Sequence, residues 1–98
     1  MRSLLLVIPC RVIRPNGTGA HTVAKVSGSA EDPSWSPNGR SLSYVAVRPG
    51  KPESLWVVGI NGHLAHRLTK PDLTVTSAAW APKGDRIVFS ARDTANTG

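Results

Sequence analysis

Three histidines and one cysteine are the residues of this 98-residue chain best suited to metal binding or nucleophilic chemistry. His63 and His66 are three positions apart on a predicted turn and strand, where side chains at i and i+3 point to opposite faces. A zinc site needs several ligands that converge on one point. We therefore predict that the chain has no metal site and no cofactor.

Serine hydrolase chemistry is not indicated either. The nucleophile of such enzymes commonly lies on a sharp turn with the pattern Gly-x-Ser-x-Gly, which is absent from the sequence. Asp85 and Asp93 have no second acidic residue at a spacing that would suit general acid–base catalysis. The turn at 16–19 (NGTG) lacks the lysine and the following helix of a phosphate-binding loop. These features predict a protein without catalytic residues.

A repeat dominates the sequence instead. The segment DPSWSPNGRSLSYVA (32–46) returns as SAAWAPKGDRIVFSA (77–91), with tryptophan, proline and glycine in the same places. The shift is 45 positions, and it also aligns His21 with His66 and the Asn-Gly pair at 16–17 with that at 61–62. Self-similarity at this period is typical of stacked or radial repeat architectures.

Each repeat is predicted to consist of short strands. Pro37 presets φ for a turn, and Gly39 supplies the positive φ of a hairpin return. In the strand that follows, Leu42, Tyr44 and Ala46 alternate with serine and valine, and the second copy keeps apolar residues at the same alternate positions. These three are therefore predicted to face the core. Residues 54–60 and 63–69 are predicted as the third and fourth strands, so that the fold class is all-β, with four-stranded antiparallel units.

The repeat resembles that of TolB-type β-propellers, which are similar to WD repeats. Residues 33–69 match one whole unit, with its Trp-Ser-Pro-x-Gly turn and its Arg67-Leu68-Thr69 ending, while Asn38 and Lys83 stand where the family usually has aspartate. The resemblance implies about two propeller blades in an incomplete ring. The organisation it predicts is an unassigned leader or strand at 1–9, the second half of a blade at 10–26, a complete blade at 31–69, the first half of a blade at 77–91, and a loop or frayed tail at 92–98.

An incomplete ring leaves open sheet faces and unpaired strand edges. We expect the chain to be a segment of a longer propeller protein whose further blades close the ring. The alternative is a homo-oligomer in which the leading half-blade of one copy joins the trailing half-blade of another, so that three copies make the six blades associated with the TolB family. The residues expected to build the inner hairpins and to pack between blades are Trp35, Pro37, Gly39, Tyr44, Trp80, Pro82, Gly84 and Phe89.

The resemblance implies a non-catalytic surface for protein interaction or scaffolding, in the bacterial cell envelope or periplasm; a cytoplasmic location is the alternative. Two other functions stay open: the substrate-gating propeller of a prolyl-oligopeptidase-type serine peptidase, and a ligand-binding propeller assembled as an oligomer.

The formal net charge of +6 favours acidic partners in general. The basic residues are scattered, without the interleaved aromatic residues that stack on bases. We therefore predict a protein partner and no nucleic acid, with contact to a membrane surface possible. Residues 4–8 are apolar but fewer than the apolar core of a usual secretory signal, so that a leader and a strand both remain open there.

Overall fold

The computed structural model describes residues 7–25, 28–61 and 65–93, and within these ranges the chain is all-β. It forms nine strands there and no helix. Consequently the described residues include no helix that is long and apolar enough to cross a membrane. The strands are β1 Val7–Ile8, β2 Cys10–Val12, β3 His21–Ala24, β4 Gly28–Trp35, β5 Ser41–Val47, β6 Ser54–Gly59, β7 His66–Arg67, β8 Leu73–Trp80 and β9 Ile87–Asp93.

Three sheets contain all nine strands. The middle sheet has the order β1-β4-β5-β6-β7, and it lies between two antiparallel pairs, β2-β3 and β8-β9. Strands β4 to β7 are antiparallel to their neighbours, as the sequence predicted. The two-residue strand β1 is parallel to β4, which differs from the purely antiparallel unit expected. It pairs through backbone groups at the otherwise open edge of β4, a contact that side-chain alternation cannot reveal.

The hairpin turn between β4 and β5 forms as the sequence predicted. Gly39 has a φ of 72° and donates its N–H to the Ser36 carbonyl at 2.9 Å. Asn38 strengthens the turn, because its side-chain oxygen accepts hydrogen bonds from the Ser36 hydroxyl at 2.7 Å and from the Arg40 N–H at 2.9 Å. A neutral asparagine thus holds this turn through its side-chain oxygen.

Strand β5 lies at the centre of the molecule and is buried on both of its faces. Leu42, Tyr44 and Ala46 pack with β2-β3 in one core cluster, in agreement with the predicted core face. Val45 belongs to a second cluster, with Leu55 of β6 and Val75 of β8, and its burial departs from the prediction of a single core face. The reason is the sandwiched position of the middle sheet, because a strand covered on both sides no longer has a polar face.

The second copy of the repeat has strands at nearly the same repeat positions as the first copy, but its side chains are less buried. Strand β8 spans the residues 45 positions after β4, and β9 ends at Asp93 rather than at 91 as expected. Phe89, which corresponds to Tyr44, is nevertheless exposed. Phe89 lies on β9, which pairs on one side only within the described residues, with β8, so that alternation alone predicted more burial there than the structure has.

The predicted boundaries shift at several other points. Strand β4 begins at Gly28, before the predicted blade at 31–69, and β8 begins at Leu73, before the predicted half-blade at 77–91. Of the predicted fourth strand the structure describes His66–Arg67, and of residues 1–9, expected as a leader or strand, it describes a strand at Val7–Ile8. His63 and residues 1–6, 26–27 and 94–98 lie outside the described residues.

Candidate functional site

A groove opens between the middle sheet and β8-β9, and we call it the wide groove. It has a volume of about 310 Å³. Its lining consists mainly of apolar side chains from facing strands, with polar groups at one end: Leu55, Val57, His66, Leu68, Trp80, Gly84, Asp85, Arg86, Ile87 and Phe89. Apolar clefts with a few polar groups are the usual form of a binding site.

Trp80 forms one wall of the wide groove because it ends β8 beside the middle sheet. Its indole Nε1 donates a hydrogen bond to the Ser34 carbonyl at 3.2 Å, and this bond joins β8 to β4 across the two sheets. The Val75 N–H donates to the Glu53 carbonyl at 2.7 Å and makes a second link between β8 and the middle sheet. The groove therefore has a wall that is held by directional contacts at both ends of β8.

The end of the groove is closed by two stacked hairpin turns. Gly84 has a φ of 76°, and a Cβ placed on it would lie 3.3 Å from Cδ of Pro37. The turn of β8-β9 therefore rests directly on the turn of β4-β5. Glycine is favoured at position 84 for two reasons. Its φ is positive, and a side chain there would press against Pro37.

A second groove lies between β2-β3 and the middle sheet, and we call it the narrow groove. It has a volume of about 230 Å³. It is lined by Arg11, Val12, Ile13, Pro33, Trp35 and Leu42. Val12, Trp35 and Leu42 are 45 positions before Val57, Trp80 and Ile87 of the wide groove. The repeat therefore builds the same kind of inter-sheet groove twice.

The polar end of the wide groove carries charges of both signs. Arg86 Nε lies 3.8 Å from Asp85 Oδ2, and both side chains are largely exposed. A solvated ion pair of this kind adds little to stability, so that both groups can reorient toward a partner. His66, on the short strand β7, also lines the wide groove.

The groups with nucleophilic or acid–base potential are arranged for packing. Burial raises the pKa of the Cys10 thiol, which keeps it protonated and weakly nucleophilic. The pKa of Tyr44 is raised as well, mainly by burial and then by the nearby Cys10. His21 uses Nδ1 to contact the Gly19 carbonyl at 2.9 Å. The described ranges contain no group of three or more His, Cys, Asp or Glu side chains that could hold a metal ion.

The eight residues singled out in the sequence lie in the two grooves, in the core between them and in the two hairpin turns. Trp80, Gly84 and Phe89 line the wide groove, and Pro37 contacts its end. Trp35 lines the narrow groove and is 47 % exposed, while Tyr44 is buried in the core between the grooves. Gly39 is in the first hairpin turn with open space around it. Pro82 occupies the equivalent turn and is exposed.

One contact in the core and two residues of the wide groove did not emerge from the sequence. The Trp56 ring stacks on Tyr44 with centroids 6.5 Å apart and an angle of 16° between the planes. The sequence placed Trp56 in the predicted third strand at 54–60 but could not identify its cross-strand partner, which depends on register. His66 and Leu68 belong to the predicted fourth strand at 63–69, and the sequence did not indicate that they line a groove.

Comparison with known proteins gives one partial similarity. No family-wide sequence profile matches the chain. Over 59 residues, which are 60 % of the chain, the sequence is 35 % identical to the "Uncharacterized peptidase YuxL" of Bacillus subtilis (strain 168). The aligned part corresponds to 9 % of the length of that relative. The similarity thus concerns a small part of a much longer protein.

Proposed function

We propose that this chain is a non-catalytic β-propeller repeat unit that works as an interaction surface. The observation that carries the proposal is the recurrence of the same inter-sheet groove 45 positions apart, with Trp35 and Trp80 as equivalent walls. Repeated sheets that face one another across such grooves are the building plan of a propeller. The TolB-type turn and strand pattern of residues 33–69 supports the same assignment.

The absence of catalysis is the second part of the proposal. The only thiol is buried and its pKa is raised. In the described ranges the Ser29 and Ser36 hydroxyls donate to Glu31 and Asn38, and the Ser54 hydroxyl accepts from the Trp56 indole. These three hydroxyls hold local structure and have no histidine base against them, unlike the nucleophile of a serine hydrolase.

A substrate-gating role beside a peptidase is the second candidate, and one specific observation favours it. The relative that aligns with 59 residues of this chain is named a peptidase. In this gating role, the apolar grooves and the exposed side chains of Asp85 and Arg86 contact peptide chains or a neighbouring catalytic domain. The chemistry itself would come from residues outside this chain.

A serine-reactive fluorophosphonate probe and a set of oligopeptide nitroanilides test both parts. We expect no labelling and no turnover for the 98-residue chain alone, and labelling of any of its own serines would contradict the non-catalytic proposal. The matched sample is the complete translated product of the same reading frame. If that product is labelled at a serine outside residues 1–98 and cleaves peptides, the gating role is supported; an unlabelled, inactive product favours the interaction surface alone.

A crystal structure tests the propeller assignment itself. We expect the three sheets to fan out around a common axis, with β1 and β4 on the inner side. Sheets that close into a barrel, or that stack in parallel layers without an axis, would contradict the proposal.

A further inference from the structure

Two strand edges of this chain are complementary to each other. In the described ranges β9 pairs on one side only, with β8, and β2 pairs on one side only, with β3. By the 45-residue shift, β8 and β9 correspond to β4 and β5, and β2 and β3 overlap the equivalents of β6 and β7. The middle sheet therefore shows how these edges join when both halves are present, since there β5 pairs directly with β6.

We propose that β9 of one copy pairs antiparallel with β2 of a second copy of this chain, so that the two half-sheets become one four-stranded sheet. The partner is a second copy because both halves of the required sheet are encoded here. The inference shares one premise with the proposed function, namely that the sheets are repeats of one propeller unit.

The register of the contact follows from the register inside the middle sheet. There Leu42 pairs with Val58, Ser43 with Val57, Tyr44 with Trp56 and Val45 with Leu55. Adding 45 to the number of each β5 residue gives its equivalent in β9, and subtracting 45 from the number of each β6 residue gives its equivalent in or next to β2. The predicted pairs are Ile87 with Ile13, Val88 with Val12, Phe89 with Arg11 and Ser90 with Cys10.

The exposure of these residues supports the same register. Ile13, Val88 and Phe89 are 58 %, 68 % and 42 % exposed, although they are large apolar residues. Their equivalents in the middle sheet, Val58, Ser43 and Tyr44, are all buried. The apolar surface that is open in the single chain is therefore the surface that the joined sheet covers. Removing such surface from water favours association.

One pair also has a specific chemical match. In the middle sheet the Tyr44 and Trp56 rings stack across β5 and β6. The equivalent pair between copies is Phe89 and Arg11, and a guanidinium over an aromatic ring is a favourable cation–π contact. Arg11 is exposed in the single chain, so that its charge can remain partly solvated in the contact.

The contact is heterologous, because one copy supplies β9 and the other supplies β2. Such contacts continue until a ring closes. Each copy then contributes its middle sheet and two half-sheets, which amounts to two sheets per copy in the ring. Propellers contain about four to eight sheets, so that a closed ring holds about two to four copies.

Sedimentation velocity of the purified chain, with circular dichroism to confirm β structure, tests the association. We expect a discrete species of two to four copies that dissociates on dilution. Val88→Lys should shift it to a folded monomer, since position 88 is exposed in the single chain but corresponds to buried Ser43. Val88→Thr is the matched control, and it should still associate because threonine is also β-branched and Ser43 already has a hydroxyl there.

Cysteine cross-linking tests the register independently. Directly opposed side chains in a sheet lie close enough for a disulfide after small shifts. In Ser90→Cys we expect oxidation at alkaline pH, slow because the Cys10 thiol is buried and its pKa is raised, to link position 90 of one copy to Cys10 of the next and to give a ladder on a non-reducing gel. Ala91→Cys should give at least several-fold less, because its side chain points to the other face of the sheet.

Three outcomes would overturn the proposal: a folded monomer at all accessible concentrations, a disordered chain, or equal cross-linking at positions 90 and 91. None of them decides the proposed function, which is tested by probe labelling, peptide cleavage and the arrangement of the sheets. A monomeric chain whose complete reading frame yields an active peptidase would remove the self-association and leave the gating role in place.

Discussion

The burial of a residue in this protein depends on which sheet carries it, even between equivalent repeat positions or between residues of the same type. Tyr44 and Phe89 occupy equivalent positions, yet Tyr44 is buried and Phe89 is exposed. Val58 lies in the core and Val88 lies open on β9. A side chain contributes to stability through the apolar area that it removes from water. Substitutions of one residue type should therefore differ greatly in effect between the sheets.

Val58→Ala and Val88→Ala form a matched pair that tests this difference. We expect Val58→Ala to lower the free energy of unfolding by about 2 kcal/mol, from two buried carbon atoms and part of a cavity. Val88→Ala should change it by less than about 0.5 kcal/mol in the monomer. Urea denaturation at a protein concentration below that of any association measures both. Equal losses would show that β9 is covered in solution.

Cys10 gives the stability a dependence on alkaline pH. Burial raises the pKa of its thiol above the ordinary value of 9.0. The folded state therefore holds this proton more tightly, and the stabilisation is complete below about pH 9 and is lost as the pH rises through the raised folded-state pKa. One group can change the free energy of unfolding by at most about 1.4 kcal/mol per pH unit.

The variant Cys10→Ala removes this group and should flatten the decline of stability just above pH 9. A remaining decline at higher pH is expected from Tyr44, whose pKa is also raised from its ordinary 10.0. Urea denaturation in a pH series gives the free energy of unfolding for both proteins. Parallel curves for Cys10→Ala and the unmodified chain would contradict the assignment to the thiol.

At the scale of the elements, hairpins form locally and a few directional contacts join them. The turns at Gly39 and Gly84 have the same positive φ, and each closes its own pair of strands. Between sheets, β8 is joined to the middle sheet by the Trp80 indole and by the Val75 N–H. Local turn chemistry thus makes the hairpins, while tertiary contacts decide how they are joined.

Trp80→Phe tests the contribution of the indole bond. The change keeps an aromatic ring but removes the donor to the Ser34 carbonyl, and we expect a loss of about 1 kcal/mol in the free energy of unfolding. Trp35→Phe is the matched control, because it makes the same change at the equivalent, half-exposed position. Chemical denaturation measures both, and an equal or larger loss for Trp35→Phe would contradict a specific role of the bond.

At the scale of the whole molecule, the middle sheet is enclosed and the two outer sheets have open surfaces. Strand β5 has a hydrogen-bonded neighbour on each side and a sheet over each face. Strand β9 has one paired side in the described ranges and largely exposed side chains. Local opening needs less energy where fewer contacts are broken.

Amide hydrogen exchange should show this gradient. We expect the slowest exchange in β5 and β6 and markedly faster exchange in β9, at a concentration where the chain is monomeric. Mass spectrometry of peptic fragments that cover residues 41–59 and 87–93 measures the two regions. Equal protection of β9 and β5 in the monomer would contradict the enclosed position of the middle sheet.

The amino-acid sequence by itself determined the 45-residue repeat, the hairpin turns with positive φ at Gly39, and the core face of β5 made by Leu42, Tyr44 and Ala46. These features depend on residues close together in the chain, through the φ that a turn requires and the alternation of side chains along a strand. Trp35, Tyr44, Trp80 and Phe89 of the candidate site were likewise visible as repeat positions, without their surroundings.

Only the tertiary structure decided how these features are covered. Val45 is buried on the second face of β5, and Trp56 lies against Tyr44. The short strand β1 pairs parallel with β4. Phe89 is exposed, although its equivalent Tyr44 is buried. The physical reason is that burial depends on what lies beside and across a strand, and these neighbours are far away in the chain. Equivalent repeat positions therefore acquire different environments according to the sheet that carries them.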